Sequence, residues 1–103
     1  MRCIVKVKMD TVVANEAARK GTMGGTIASI LDDLKPEAAY FTEEDGRRTA
    51  VLVLDMADTS QIPAIAEPWF LAFNAVVTFH PAMTLEDLMK AGPAIGAAVE
   101  KYG

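Results

Sequence analysis

Ala38-Ala39-Tyr40-Phe41-Thr42-Glu43-Glu44-Asp45-Gly46-Arg47-Arg48-Thr49-Ala50-Val51-Leu52-Val53-Leu54-Asp55-Met56 reads as two strands, Ala38 to Glu44 and Arg48 to Met56, joined by a tight turn. Asp45-Gly46 suits a two-residue type I′ turn, in which both central residues take positive φ. That turn pairs Glu44 with Arg47, Glu43 with Arg48, Thr42 with Thr49, Phe41 with Ala50 and Tyr40 with Val51. Both charged pairs are opposite in sign, as cross-strand neighbours prefer. Polar and apolar pairs alternate, so the same register gives each strand a consistent pair of faces. The charges from Glu43 to Arg48 read as those of a solvated turn.

On either side of the hairpin lies a helical stretch and then another strand. Residues 2 to 9, RCIVKVKM, alternate with period two and read as a strand. Asp10 or Thr11 is a plausible N-cap for the next helix. From Val12 to Leu34 the spacing turns helical, with Met23, Ile27 and Leu31 four apart, and Pro36 stops the run. Gly21, Gly24 and Gly25 interrupt it. Either the helix breaks there, or the glycines let its backbone approach the sheet; the small-residue stripe Ala14, Ala18, Gly21, Gly25 and Ala28 favours close approach.

After the hairpin, Asp58, Thr59 and Ser60 offer cap chemistry and Pro63 falls in a first turn, where it is tolerated. Ile62, Ile65, Ala66, Trp69, Phe70 and Phe73 form an amphipathic helix pattern, with Pro68 expected to kink it. Ala75 to His80 reads as the fourth strand. Thr84-Leu85-Glu86-Asp87 resembles a capping box and opens a last helix, which Gly92-Pro93 splits into two segments reaching Tyr102.

The order β-α-β-β-α-β plus a C-terminal helix predicts an α+β domain over residues 1–103. Right-handed crossovers give a four-stranded antiparallel sheet in the order 4-1-3-2, with the helices on one face. Val5, Val7, Phe41, Ala50, Leu52, Leu54, Val77 and Phe79 are the helix-facing set. The opposite face mixes Ile4, Val51, Val53 and Val76 with Arg2, Lys6, Lys8, Tyr40, Thr42, Thr49, Asp55, Thr78 and His80. Water would favour a mostly polar face and a core an apolar one; a mixed lining suits a covered interface or a ligand pocket. Topology puts Arg2 near Asp55 and His80 at one end, and Lys6 and Lys8 near Thr42 and Thr49 at the other, with Tyr40 one step inward.

Composition narrows the partners. The chain has 103 residues, 51% of them hydrophobic, and a net charge of −4. Its mean hydropathy is +0.21 and its pI about 4.8. So apolar a surface on so small a chain is expected to meet a second subunit. The acidic balance argues against nucleic acid, which wants a basic face. The only cysteine, Cys3, allows neither an internal disulfide nor a cysteine-cluster metal site, and on the core-facing side it reads as an inert buried thiol. No signal peptide or membrane span is evident, so a cytoplasmic location is expected.

The layout, the run AAYFTEEDGRRTAVLVLDM, the segment Glu67-Pro68-Trp69-Phe70 and the segment Pro81-Ala82-Met83-Thr84-Leu85-Glu86-Asp87-Leu88 resemble small bacterial proteins of the dimeric α+β barrel superfamily. The resemblance covers nearly the whole chain. It implies a ferredoxin-like domain that pairs two sheets face to face, in a superfamily that spans cofactor-free monooxygenases, haem-degrading enzymes, muconolactone-type isomerases and small-ligand sensors. It leaves three functions as expectations. One is a homodimer enclosing a small-molecule pocket at Lys6, Tyr40, Thr42, Thr78 and His80. Another is a cofactor-independent monooxygenase or isomerase for a small aromatic or lactone substrate, with His80, Tyr40 and Asp55 as candidate catalytic groups and Lys6 beside them. The third is a pure assembly module with a filled interface. No metal and no cofactor are expected. Gly21-Thr22-Met23-Gly24-Gly25 comes after a helical stretch and matches no phosphate-binding fingerprint.

Overall fold

A computed structural model describes all of residues 1–103. Its elements are β1 (Arg2–Lys8), α1 (Thr11–Lys20), α2 (Met23–Leu34), β2 (Ala38–Glu44), β3 (Arg47–Asp55), a 3-10 turn (Thr59–Gln61), α3 (Ile62–Phe73), β4 (Val76–Pro81), α4 (Leu85–Lys90) and α5 (Gly92–Tyr102). The four strands form one antiparallel sheet in the order β2-β3-β1-β4, the expected 4-1-3-2 order in reverse. The α+β architecture is compatible with a ferredoxin-like fold. No helix is long and apolar enough to cross a membrane.

Local chemistry accounts for the elements. Asp45 (φ 54°) and Gly46 (φ 75°) both take positive φ, and the hairpin has the register expected from its turn, Glu44 opposite Arg47 through Tyr40 opposite Val51. Asp10 caps α1, its carboxylate accepting from the Val13 N–H at 3.1 Å. Thr84 and Asp87 complete a reciprocal capping box at the start of α4. Pro63 lies in the first turn of α3, which continues through Pro68.

The first helical stretch breaks, contrary to the close approach expected from its small residues. Gly21, at φ 73°, ends α1 in the left-handed conformation, and its N–H bonds the carbonyls of Ala17 and Ala18. A β-carbon built on Gly24 or Gly25 would meet nothing within 4 Å, so neither glycine is there to admit a neighbouring backbone. The turn cap decides this stretch, because a left-handed glycine satisfies the helix's last carbonyls at little steric cost.

Cys3, Val5, Val7, Ala50, Leu52 and Leu54 of the sheet bury against Ala14 of α1, Ile30 of α2 and Ile65, Trp69 and Phe73 of α3. Val77 and Phe79 are half-buried beside them. Phe41 departs from the expected core set: it is 55% exposed, on the wall of a recess that separates it from Met23 and Ile27 of α2. The Trp69 and Phe73 rings lie 6.2 Å apart, tilted by 30°. Trp69 is fully buried and its Nε1–H has no acceptor. An orphaned buried donor costs about 1–3 kcal/mol, which the burial of the large ring offsets.

The chain is elongated. Its radius of gyration is 17.1 Å, against about 13 Å for a compact chain of this length. The principal extents are 58 × 27 × 21 Å. α4 and α5 account for this: they pack chiefly on each other, and neither contains a buried residue.

Trp69→Ala is expected to destabilise the fold by about 3–5 kcal/mol, the range for emptying a large aromatic site. Trp69→Phe should cost much less, because it removes the orphaned N–H with the lost volume. Urea titration followed by far-ultraviolet circular dichroism measures both.

Candidate functional site

The register places the open-face residues on three rungs. Tyr40, Val51, Lys6 and Thr78 form one; Thr42, Thr49, Lys8 and Val76 form the next, toward the hairpin; Val53, Ile4 and His80 form the third. Alternation alone produces this grouping, since every second residue of a strand shares a face.

The hairpin tip leans back over this face. Lys6 Nζ bonds Glu44 Oε1 at 3.2 Å, and Lys8 Nζ bonds Asp45 Oδ2 at 2.9 Å, so two lysines of the central strand reach across β3 to the turn. Thr49 lies beneath them, 3% exposed, and its hydroxyl donates to the Arg47 carbonyl. The turn is solvated, as the sequence pattern suggests: Glu43, Asp45, Arg47 and Arg48 are exposed and only Glu44 is partly covered. The fold gives two of them lysine partners, because the long side chains of Lys6 and Lys8 reach diagonally to the turn.

The lean leaves a recess of about 230 Å³, lined by Lys6, Lys8, Glu44, Asp45, Val76, Thr78 and His80. His80 Nε2 stands 3.1 Å from Thr78 Oγ1. Of the expected site residues, Lys6, Thr78 and His80 therefore come together. Tyr40 does not join them: it is 67% exposed on β2, three strand spacings and about 14 Å from Thr78. Thr42 lies beside Tyr40 on the same strand.

Asp55 sits at the other end, where Met1 and Arg2 meet carboxylates. The N-terminal ammonium bonds Asp55 Oδ1 at 2.7 Å. Arg2 is opposite Asp55 in register, yet its guanidinium bonds Glu37 through Nε at 3.0 Å and a second nitrogen at 3.1 Å. Asp55 borders a separate recess of about 320 Å³ with Asp33, Lys35, Glu37 and Gln61, so it does not share a site with His80. No three His, Cys, Asp or Glu side chains converge as metal ligands would.

The largest recess, about 360 Å³, lies elsewhere, between α2 and the hairpin end of β2. Met9, Met23, Ile27 and Phe41 line it, with Thr42, Arg48 and Thr49. Arg48 donates to Asn15 Oδ1 at 2.8 Å and has no carboxylate partner in its own chain. Sequence reading missed this groove. Phe41 carries the right alternation for a core position, and only the length and placement of α2 leave it uncovered.

Electrostatics depend on the local donors. Asp45 is held below the ordinary carboxylate value of 3.8, first by its hydrogen bond from Lys8 and then by the charge of that lysine. Asp55 is lowered in the same way by the N-terminal ammonium. Donors of Ser60 lower Asp58, and the backbone and hydroxyl of Thr84 lower Asp87. Protein-family models and curated proteins both return no match to this sequence.

A carboxylate whose value is depressed on folding adds stability above its unfolded value and loses it as the pH falls through the folded one. The urea midpoint is therefore expected to hold from neutral pH toward 3.8 and to fall steeply below it, as these four aspartates protonate. Asp45→Asn should shrink the acid loss, and added salt should shrink the part due to exposed ion pairs. Midpoints measured from pH 2 to 7 with and without that substitution check the sign.

Proposed function

We propose that this chain works as a homodimer of the dimeric α+β barrel type, with its open sheet faces paired and a small-molecule pocket held between them. The mixed open face carries this reading. Ile4, Val51 and Val53 are half-buried by their neighbours alone, while Val76 and Tyr40 stand 51% and 67% exposed. An antiparallel sheet that faces water presents mainly polar side chains, and this one interleaves apolar residues with an ammonium, an imidazole and hydroxyls.

Pairing also accounts for the separation of Tyr40 from His80. A two-fold axis along the strands, between the sheets, sets β2 of one copy over β4 of the other. Tyr40 of each copy then approaches Thr78 and His80 of its mate. Such a composite site joins an aromatic wall to Lys6, Thr78 and His80, groups that hold an anionic or carbonyl oxygen. The ligand class is a small apolar or aromatic body bearing one such oxygen. It would displace Glu44 from Lys6 at little cost, since exposed ion pairs contribute at most about 1 kcal/mol.

The anionic aromatic dye 1-anilinonaphthalene-8-sulfonate serves as probe. Light scattering is expected to give a dimer at 100 µM, and the dye should bind with its affinity lowered about tenfold by Lys6→Ala or His80→Ala, a loss of about 1.4 kcal/mol. Asp55→Asn should leave binding unchanged. A monomer, or a dimer whose dye affinity ignores Lys6 and His80, overturns the reading.

A further inference from the structure

Arg48 follows the alternation of β3 onto the helix-facing side of the sheet, in line with Ala50, Leu52 and Leu54. Its guanidinium makes one hydrogen bond, from Nη1 to Asn15 Oδ1 of α1 at 2.8 Å, and no carboxylate of the chain lies within ion-pair distance. Glu43, its cross-strand neighbour, instead accepts from the Gly46 N–H at 2.9 Å. Arg48 borders the recess of about 360 Å³ whose apolar walls are Met9, Met23, Ile27 and Phe41. Met9 is buried, Met23 and Ile27 are half-buried one turn apart on α2, and Phe41 is exposed.

We propose that this recess binds a small monocarboxylic acid, with its apolar body against Met23, Ile27 and Phe41 and its carboxylate on Arg48. The site lies on the opposite side of the sheet from the pocket proposed above and needs no second copy of the chain.

Charge, geometry and size select this class. A guanidinium presents a planar fork of N–H donors that matches a carboxylate bidentately. The single bond to Asn15 holds that fork in place and leaves most of its donors free. One cation suits a monoanion. A phosphate dianion would lack a second positive group, because Lys6 and Lys8 lie on the far side of the sheet and pair with Glu44 and Asp45. No other charged residue lines the recess, so the rest of the ligand is apolar. At about 30 Å³ for each water of the liquid, 360 Å³ holds about a dozen, which limits the ligand to about that many heavy atoms. Methionine walls adapt to the shape of an apolar guest, so they recognise a class of acids instead of one outline. Binding covers Phe41, the helix-facing aromatic of β2 that the fold leaves open.

Heptanoate and the neutral heptan-1-ol, which share one apolar body, serve as probes on the full chain. Titrated to about 5 mM, heptanoate is expected to shift the Met9, Met23 and Ile27 methyl resonances saturably in ¹³C-resolved spectra, and heptan-1-ol should bind at least tenfold more weakly. Arg48→Gln should weaken heptanoate about tenfold and leave heptan-1-ol unchanged, with Arg48→Lys between the two because it keeps the charge and loses the fork. The comparison of acid with alcohol uses the unaltered chain, so it decides the matter even where a substitution disturbs the hairpin. Equal affinity for the two probes, or no saturable shift of these methyls, overturns the proposal. Heptanoate shifts confined to the Val51 and Val76 methyls place the acid on the open sheet face; they overturn this site and leave the sheet-face pocket standing.

Discussion

Two residues in left-handed conformation, Asp45 and Gly46, hold the β2–β3 hairpin in one register, and every later feature depends on that register. A slip of one residue would exchange the faces of β2 and turn Ala39 and Phe41 outward while Tyr40 and Thr42 turned in. β3 pairs onward with β1, and β1 with β4, so the faces of all four strands are linked through the turn. Leu52, Val5 and Phe79 thereby line up under the helices, and Val51, Lys6 and Thr78 line up on the far side.

The helix layer uses one face of the sheet and leaves two apolar surfaces without cover. One is the open sheet face and the other is the arm. Only 15 of 103 residues are buried, an economy at odds with a mean hydropathy of +0.21. Small chains have little interior to offer, so excess apolar surface tends to be covered by association. The dimer proposed above would cover the first of them.

Much of the fold is legible in the sequence because its signals are local and mutually consistent. The alternation of Cys3, Val5 and Val7, the Asp45-Gly46 turn and the Thr84–Asp87 capping box each act within a few residues. The break at Gly21 was less legible. Periodicity on both sides of it suits one helix, and the outcome turns on whether a left-handed cap at Gly21 outweighs one more helical turn. Site residues divide in the same way. Lys6, Thr78 and His80 meet because register alone brings them together. The partners of Lys6, Lys8 and Arg2 are not set by register, because each long side chain reaches diagonally to Glu44, Asp45 or Glu37.

By itself the sequence determined element types, turn geometry, strand order and the membership of each sheet face. Element types, turn geometry and face membership depend on periodicity and on the φ preferences of single residues, which are properties of short stretches, and strand order follows from the handedness of the crossovers that join them. Tertiary structure alone decided that Phe41 is left uncovered, that the hairpin tip leans over the lysines of β1, and that α4 and α5 stand away from the body. Each of these depends on where one element ends relative to another in space. Helix length, sheet twist and the direction of exit from β4 set those distances, and no local pattern of residues encodes them.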